Sequence, residues 1–332
     1  MRKFVPLTDN QSRMLTDTRQ LFDAYAHALQ NRDRFPGSMT WKKSNNTKYL
    51  IKILDSRGSQ KSLGRESDET TERYRAFQEG KAAAVDRLKT IEARLDEQAR
   101  FNKAARLGRV PTIAAKVLRR LERDRLLGRG ITVVGTNALY AYEAEAAVMI
   151  DRDQTATTDI DLLWDVRQRL QLAGDVAEAG VIGLLKSVDA TFEKTASYRA
   201  TNADGYFVDL IRPTSTPVTQ DDGIHSIGGS EDLKAAEIEG LWWLKNVPTL
   251  DSVAVAEDGY PVRITAPHPM AFAAHKAWLS ERPNRDIGKR RRDAAQSHLV
   301  RELVDDCLPT WRYDEQQLQA VPKQLRALVS GG

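Results

Sequence analysis

Thr157-Thr158-Asp159-Ile160-Asp161-Leu162-Leu163 is the stretch that decides how the rest of this chain is read. Its apolar residues predict a strand over 159–164. In a strand, residues two apart share a face, with Cα atoms roughly 6–7 Å apart. Asp159 and Asp161 therefore stand side by side, while Ile160 and Leu162 enter the core. Two anions held together cost free energy unless a cation lies between them. Magnesium meets that need, binding one or two carboxylates together with substrate phosphates at about 2.0–2.1 Å. Solvated surface aspartates are the plain alternative, and apolar neighbours on both sides argue against them.

A second strand breaks the same rule. Phe207-Val208-Asp209-Leu210-Ile211 places one carboxylate inside an apolar run, unfavourable by both propensity and burial. It follows a strand predicted over 197–202 and the turn Ala203-Asp204-Gly205, so the two strands form a hairpin. Upstream, Val133-Val134-Gly135-Thr136 runs from a short strand into a helix. Helix-terminal N–H groups and the helix dipole favour phosphate oxygens at such a junction.

This order of apolar strand, Gly-Thr, helix, Asp-x-Asp strand and later lone-Asp strand resembles the nucleotidyltransferase-fold superfamily, the group related to DNA polymerase beta. The resemblance covers roughly residues 130–212. It is nearest to uncharacterised bacterial nucleotidyltransferase-fold proteins and, more loosely, to the AbiEii-like toxin branch. It implies an α+β fold with a mixed β-sheet core, and Gly135 and Thr136 gripping the triphosphate. Asp159, Asp161 and Asp209 would be the metal ligands of a two-magnesium site, with Asp209 also assisting deprotonation of the attacking hydroxyl. The family usually has Gly-Ser or Gly-Gly where this chain has Gly135-Thr136, and threonine keeps the hydroxyl. The spacing from Gly135 to Asp159 exceeds that of compact members, so residues 151–156 are expected to form a loop near the site.

Further along, a helix over 269–281 carries His275 and Lys276, and another over 285–305 opens with Arg285-Asp286-Ile287-Gly288-Lys289-Arg290-Arg291-Arg292-Asp293. By the same resemblance Lys276 and Lys289 meet nucleotide phosphates, and Asp293 orients one of the lysines. A basic helix face in solvent is the other reading of Lys289–Arg292. His275 is expected to be a packed helix histidine. Trp242-Trp243, at the end of a strand-like run, is read as core packing, with base stacking as its functional alternative.

The remainder frames this core. A helix over 11–31 precedes a β-meander of strands 39–43 and 49–54 and a third near Leu63, with turns at Asn45-Asn46 and Asp55–Gly58. Residues 67–107 read as one long helix with Tyr74, Phe77, Ala84, Leu88, Ile91 and Leu95 in an a/d pattern that Lys81 interrupts. Packing against its own chain is the simpler use; a homodimer contact or partner-docking arm is the alternative. A helix over 112–128 follows, and a last one is expected over 314–329. Three regions result: 1–110 with the meander and long helix, a catalytic core over 111–265, and a helical module over 266–332.

An apolar fraction of 41% supports a real core, and a net charge of +4 is compatible with an anionic partner such as RNA. No apolar run reaches the roughly 18 residues of a membrane span, and Met1–Asn10 has no apolar leader segment. One cysteine, Cys307, excludes an internal disulfide framework and a Cys-based zinc site. The expected setting is the cytoplasm. The expected activity is magnesium-dependent transfer of a nucleoside monophosphate from a nucleoside triphosphate to a hydroxyl, RNA or tRNA among the acceptors. A catalytically inactive binding protein on the same scaffold, or the toxin of a toxin–antitoxin pair, stands beside it.

Overall fold

The computed structural model describes residues 3–54, 58–165, 175–214 and 226–330. The chain forms two compact units, Arg13–Ala104 and Met1–Ser12 with Ala105–Gly332. Strand β1 (Phe4–Pro6) belongs to the second unit, and helix α1 (Asp9–Asp33) leads into the first.

In the first unit, β2 (Ser38–Ser44), β3 (Thr47–Ile53) and β4 (Gln60–Arg65) form an antiparallel meander. Asn45 and Asn46 both take positive φ, as a tight hairpin turn requires. Residues 55–57 of the expected second turn lie outside the described residues. Helix α2 (Asp68–Ala104) starts where the Ser67 hydroxyl accepts from the Thr70 N–H at 3.3 Å. Phe77 packs with Met39 and Leu50, so the apolar face of α2 serves its own unit there. Near its other end the Thr18 hydroxyl donates to Asn102 at 3.0 Å, tying α1 to α2. Lys81, which interrupts the apolar pattern, donates to the carbonyl of Gly37 and lies over the Phe77 ring.

The second unit continues with α3 (Thr112–Arg123), β5 (Ile131–Val134), a 3₁₀ turn at Gly135–Asn137, α4 (Ala138–Glu145), β6 (Val148–Ile150), α5 (Arg152–Thr155) and β7 (Asp159–Trp164). Next come α6 (Asp175–Val188), β8 (Glu193–Lys194), β9 (Arg199–Thr201), β10 (Phe207–Pro213), β11 (Ala236–Ile238) and α7 (Leu241–Lys245). The hairpin β12 (Thr249–Val255) and β13 (Pro261–Pro267) then leads to α8 (Pro269–Glu281), α9 (Ile287–Cys307) and α10 (Lys323–Ser330). The main sheet runs β5-β7-β10-β9-β8, with β11 also paired to β10. Strand β7 is antiparallel to β5 and parallel to β10, so the sheet is mixed. The chain thus has the expected α+β fold with a mixed central sheet.

Several details differ from expectation. Residues 151–156 are not an open loop, because Asp151 caps the short helix α5 through Asp153 N–H. A pairing for which the sequence carries no expectation joins β6 to β1, outside the main sheet. Trp242 and Trp243 lie in helix α7, opened by Gly240 at φ +84°, with Leu241 and Leu244 buried three residues apart. The helix expected over 314–329 starts only at Lys323, after Pro322, whose ring removes an N–H and disfavours a helix running through it. Helices α8 and α9 share one apolar core with the sheet strands. Among the described residues no helix is long and apolar enough to cross a membrane.

Candidate active site

Register builds the site. Along the parallel β7–β10 pair, Asp159 stands opposite Phe207 and Asp161 opposite Asp209, while on the other side Val134 stands opposite Asp161. Ile160 and Leu162, on the alternate face of β7, are fully buried. All three aspartates line one cavity of about 1120 Å³. Burial, followed by the charges of Asp159 and Asp209, pushes the Asp161 carboxyl up to about 7. The Thr157 hydroxyl donates to Asp159 Oδ1, and Asn137 Nδ2 donates to the Asp159 carbonyl at 2.6 Å.

The Gly135 turn meets these acids directly. Gly135 has φ +65°, and a Cβ there would lie 2.1 Å from Asp161 Oδ2. Any larger residue would displace the carboxylate, so the glycine is required by conformation and by space. Thr136, the next residue, lines the cavity, and Gln296 Nε2 approaches its hydroxyl at 3.4 Å.

Asp209 is engaged. Arg199 on β9, its cross-strand partner, donates Nε to Oδ1 and Nη2 to Oδ2, both at 2.7 Å. The guanidinium also lies 4.7 Å from the Phe207 ring centroid and 5.6 Å from that of Tyr198. This two-pronged bond raises the Arg199 pKa above its ordinary value. Arg199 was not among the residues singled out from sequence. Counting back across the hairpin turn at 203–205 places it opposite Asp209, so the signal was present. Asn137 and Thr157, which hold Asp159, carry no comparable signal.

A second charge cluster lies on the helices. Lys276 is buried on α8, and its Nζ donates to Asp293 Oδ1 at 2.8 Å, while Arg285 donates to Asp293 Oδ2. Burial lowers the Lys276 pKa, which Asp293 opposes. Lys289 is exposed at the start of α9 and lines the cavity, as do Arg109, Arg152 and Arg292. His275 is buried against Trp243 and Trp278, and burial, with Lys276 beside it, pushes it down to about 3. Trp243 is thus a packing residue, while Trp242 is partly exposed beneath Lys245.

The donor set suits magnesium in part. Asp159 and Asp161 offer adjacent hard oxygens whose mutual repulsion a cation would relieve. The third expected ligand, Asp209, has both oxygens on Arg199. Among the described residues no group of three or more His, Cys, Asp or Glu side chains is arranged to hold a metal. Two carboxylates plus substrate phosphates remain a sufficient magnesium set.

Comparison with known proteins fits this geometry. No curated protein and no solved structure matches the chain. A nucleotidyltransferase family model matches residues 112–321, which takes in β5, β7, β10 and the α8–α9 pair. That match spans well over half of the chain, which therefore belongs to the nucleotidyltransferase family, with nucleotidyl transfer as its general activity.

Proposed function

We propose that the protein transfers a nucleoside monophosphate from a nucleoside triphosphate to a hydroxyl acceptor, with magnesium held by Asp159 and Asp161. The observation that carries this reading is the register setting Asp159, Asp161 and Asp209 on adjacent strands against the Gly135 turn. The acceptor oxygen forms a bond to the α-phosphorus, the bond to the β-phosphate oxygen breaks, and pyrophosphate leaves. Magnesium, when bound, supplies neutralisation of the phosphate charge. The chain's own groups position the reactants. The Gly135–Thr136 turn, at the start of α4, presents N–H groups to phosphate oxygens. Lys289 adds positive charge from the exposed start of α9, and the charge of Lys276 favours an ionised Asp161. Asp209 orients the attacking hydroxyl and receives its proton.

RNA, tRNA included, is the acceptor we favour, because Arg152, Lys289 and Arg292 line the same cavity. Binding to an RNA acceptor falls steeply with salt, whereas binding of a small neutral acceptor does not. Asp161→Asn is expected to lower turnover by on the order of 100-fold or more while the fold persists, a loss of about 3 kcal/mol in transition-state stabilisation. Transfer of label from an α-³²P nucleoside triphosphate measures it, and wild-type turnover in the variant would refute the assignment.

One observation supports a second reading, a nucleotide-binding protein without turnover: Arg199 occupies both oxygens of Asp209. Pyrophosphate release from the wild-type chain, with RNA supplied, separates the two.

A further inference from the structure

Arg199 holds an acid of the site yet has no part in the roles assigned above. Its guanidinium satisfies both Asp209 oxygens in a fork-to-fork pair, the geometry with which arginine also binds phosphate. The two partners differ in freedom. The Asp209 side chain is 9% exposed and fixed in the sheet, whereas that of Arg199 is 33% exposed and lines the cavity. The rings of Phe207 and Tyr198 flank the guanidinium, and a ring face attracts a cation over a range of orientations. Lys276, the buried cation nearest in kind, is instead held by Asp293, which is not one of the three strand acids.

We propose that Arg199 is a positioning residue that couples metal binding to nucleotide binding. Without nucleotide it holds Asp209, leaving Asp159 and Asp161 as the carboxylates open to a divalent cation. An incoming triphosphate offers the guanidinium a phosphate oxygen pair, and Asp209 is released toward the cation and the acceptor hydroxyl. The exchange needs no net change of charge on the protein, since one anionic partner of Arg199 replaces another. By linkage, whatever nucleotide does for metal affinity, metal does for nucleotide affinity. This inference rests on the metal–triphosphate reading of Asp159 and Asp161.

Manganese binding to the full chain, followed by electron paramagnetic resonance with and without a non-hydrolysable nucleoside triphosphate analogue, tests it. Arg199→Gln is expected to bind manganese alone about 10-fold more tightly than wild type, within the usual range of coupling between sites. The analogue should then enhance its manganese affinity by a correspondingly smaller factor than in wild type. Arg199→Lys, which keeps the charge but loses the fork, should fall between the two. Circular dichroism checks folding, and if Arg199→Gln is unfolded the lysine variant alone must show the same shift at smaller size. Unchanged or weaker manganese binding in the folded variants, with the wild-type enhancement intact, overturns the coupling and leaves the metal site standing. Absence of manganese binding to wild type, with and without the analogue, overturns both.

Discussion

Strand β7 and the helix pair α8–α9 each bring buried charge to the same cavity and treat it in opposite ways. On the helices, Lys276 and Asp293 have side chains only 7% and 3% exposed, and they answer each other at 2.8 Å. Arg285 takes the second oxygen of Asp293, so that cluster is complete within the protein. On the strand, the charges that act most strongly on Asp161 are like ones, and its carboxyl is raised to about 7 by burial and by Asp159 and Asp209. A balanced cluster holds structure together. An unbalanced one stores repulsion that a ligand can relieve, and perturbed carboxylates of that kind cluster at functional sites.

The sharpest way to break the contrast is to unbalance the helices. Asp293→Ala strands a buried lysine and should cost about 3–5 kcal/mol in stability, read from urea unfolding. Replacing both partners by apolar residues, Lys276→Met with Asp293→Leu, should recover much of that loss. If the single variant is as stable as wild type, the helix pair is not the structural cluster described here.

The strand should respond to pH. The folded-state pKa of Asp161 lies above that of an unfolded aspartate, so its protonated form stabilises the fold at acid pH. That contribution is lost as pH rises from about 4 through about 7, by at most about 4 kcal/mol. Asp161→Asn removes this part of the slope, and its stability should exceed that of wild type at pH 8. Urea midpoints for both proteins between pH 4 and 8 measure the difference. Parallel curves would mean that the site does not raise the Asp161 carboxyl.

The smallest effect is expected at the rim. Lys289→Ala should change stability by less than about 0.5 kcal/mol, since the side chain is exposed. Its triphosphate affinity, measured by calorimetry, should fall a few-fold, in line with the ~0.2–1 kcal/mol of an exposed charge pair.

Legibility in the sequence followed the range of the interactions. Strands β5, β7 and β10 were readable because each is a short apolar run, and a carboxylate within one is conspicuous. The hairpin at 203–205 was readable from its turn residues. What joins β7 to β10 side by side is a parallel pairing across more than forty residues, and no local pattern encodes it. For that the resemblance to a known fold was needed. The β1–β6 pairing was missed because both strands are three residues long. Helix α7 was misread because Leu241, Trp242, Trp243 and Leu244 form an unbroken apolar run, which suits a short buried strand as well as one helical turn. Arg199 is legible only through its cross-strand pairing with Asp209, because an arginine in a short polar strand is not conspicuous by itself.

The placement of β1 carries a consequence for how this chain can be rebuilt. Residues before Arg13 and after Ala104 belong to the same compact unit, and Gln11 Nε2 donates to the Ala105 carbonyl at 2.9 Å. The meander and its two long helices are therefore an insertion whose entry and exit are neighbours. Among the described residues, every one that lines the cavity lies at Arg109 or beyond. A shortened chain with a few linking residues in place of 13–104 would keep the entire cavity lining, and a foreign module could be spliced in at the same joint. Cutting the chain at residue 110 would be a different operation, because it also discards the strand that pairs with Val148–Ile150 just ahead of α5.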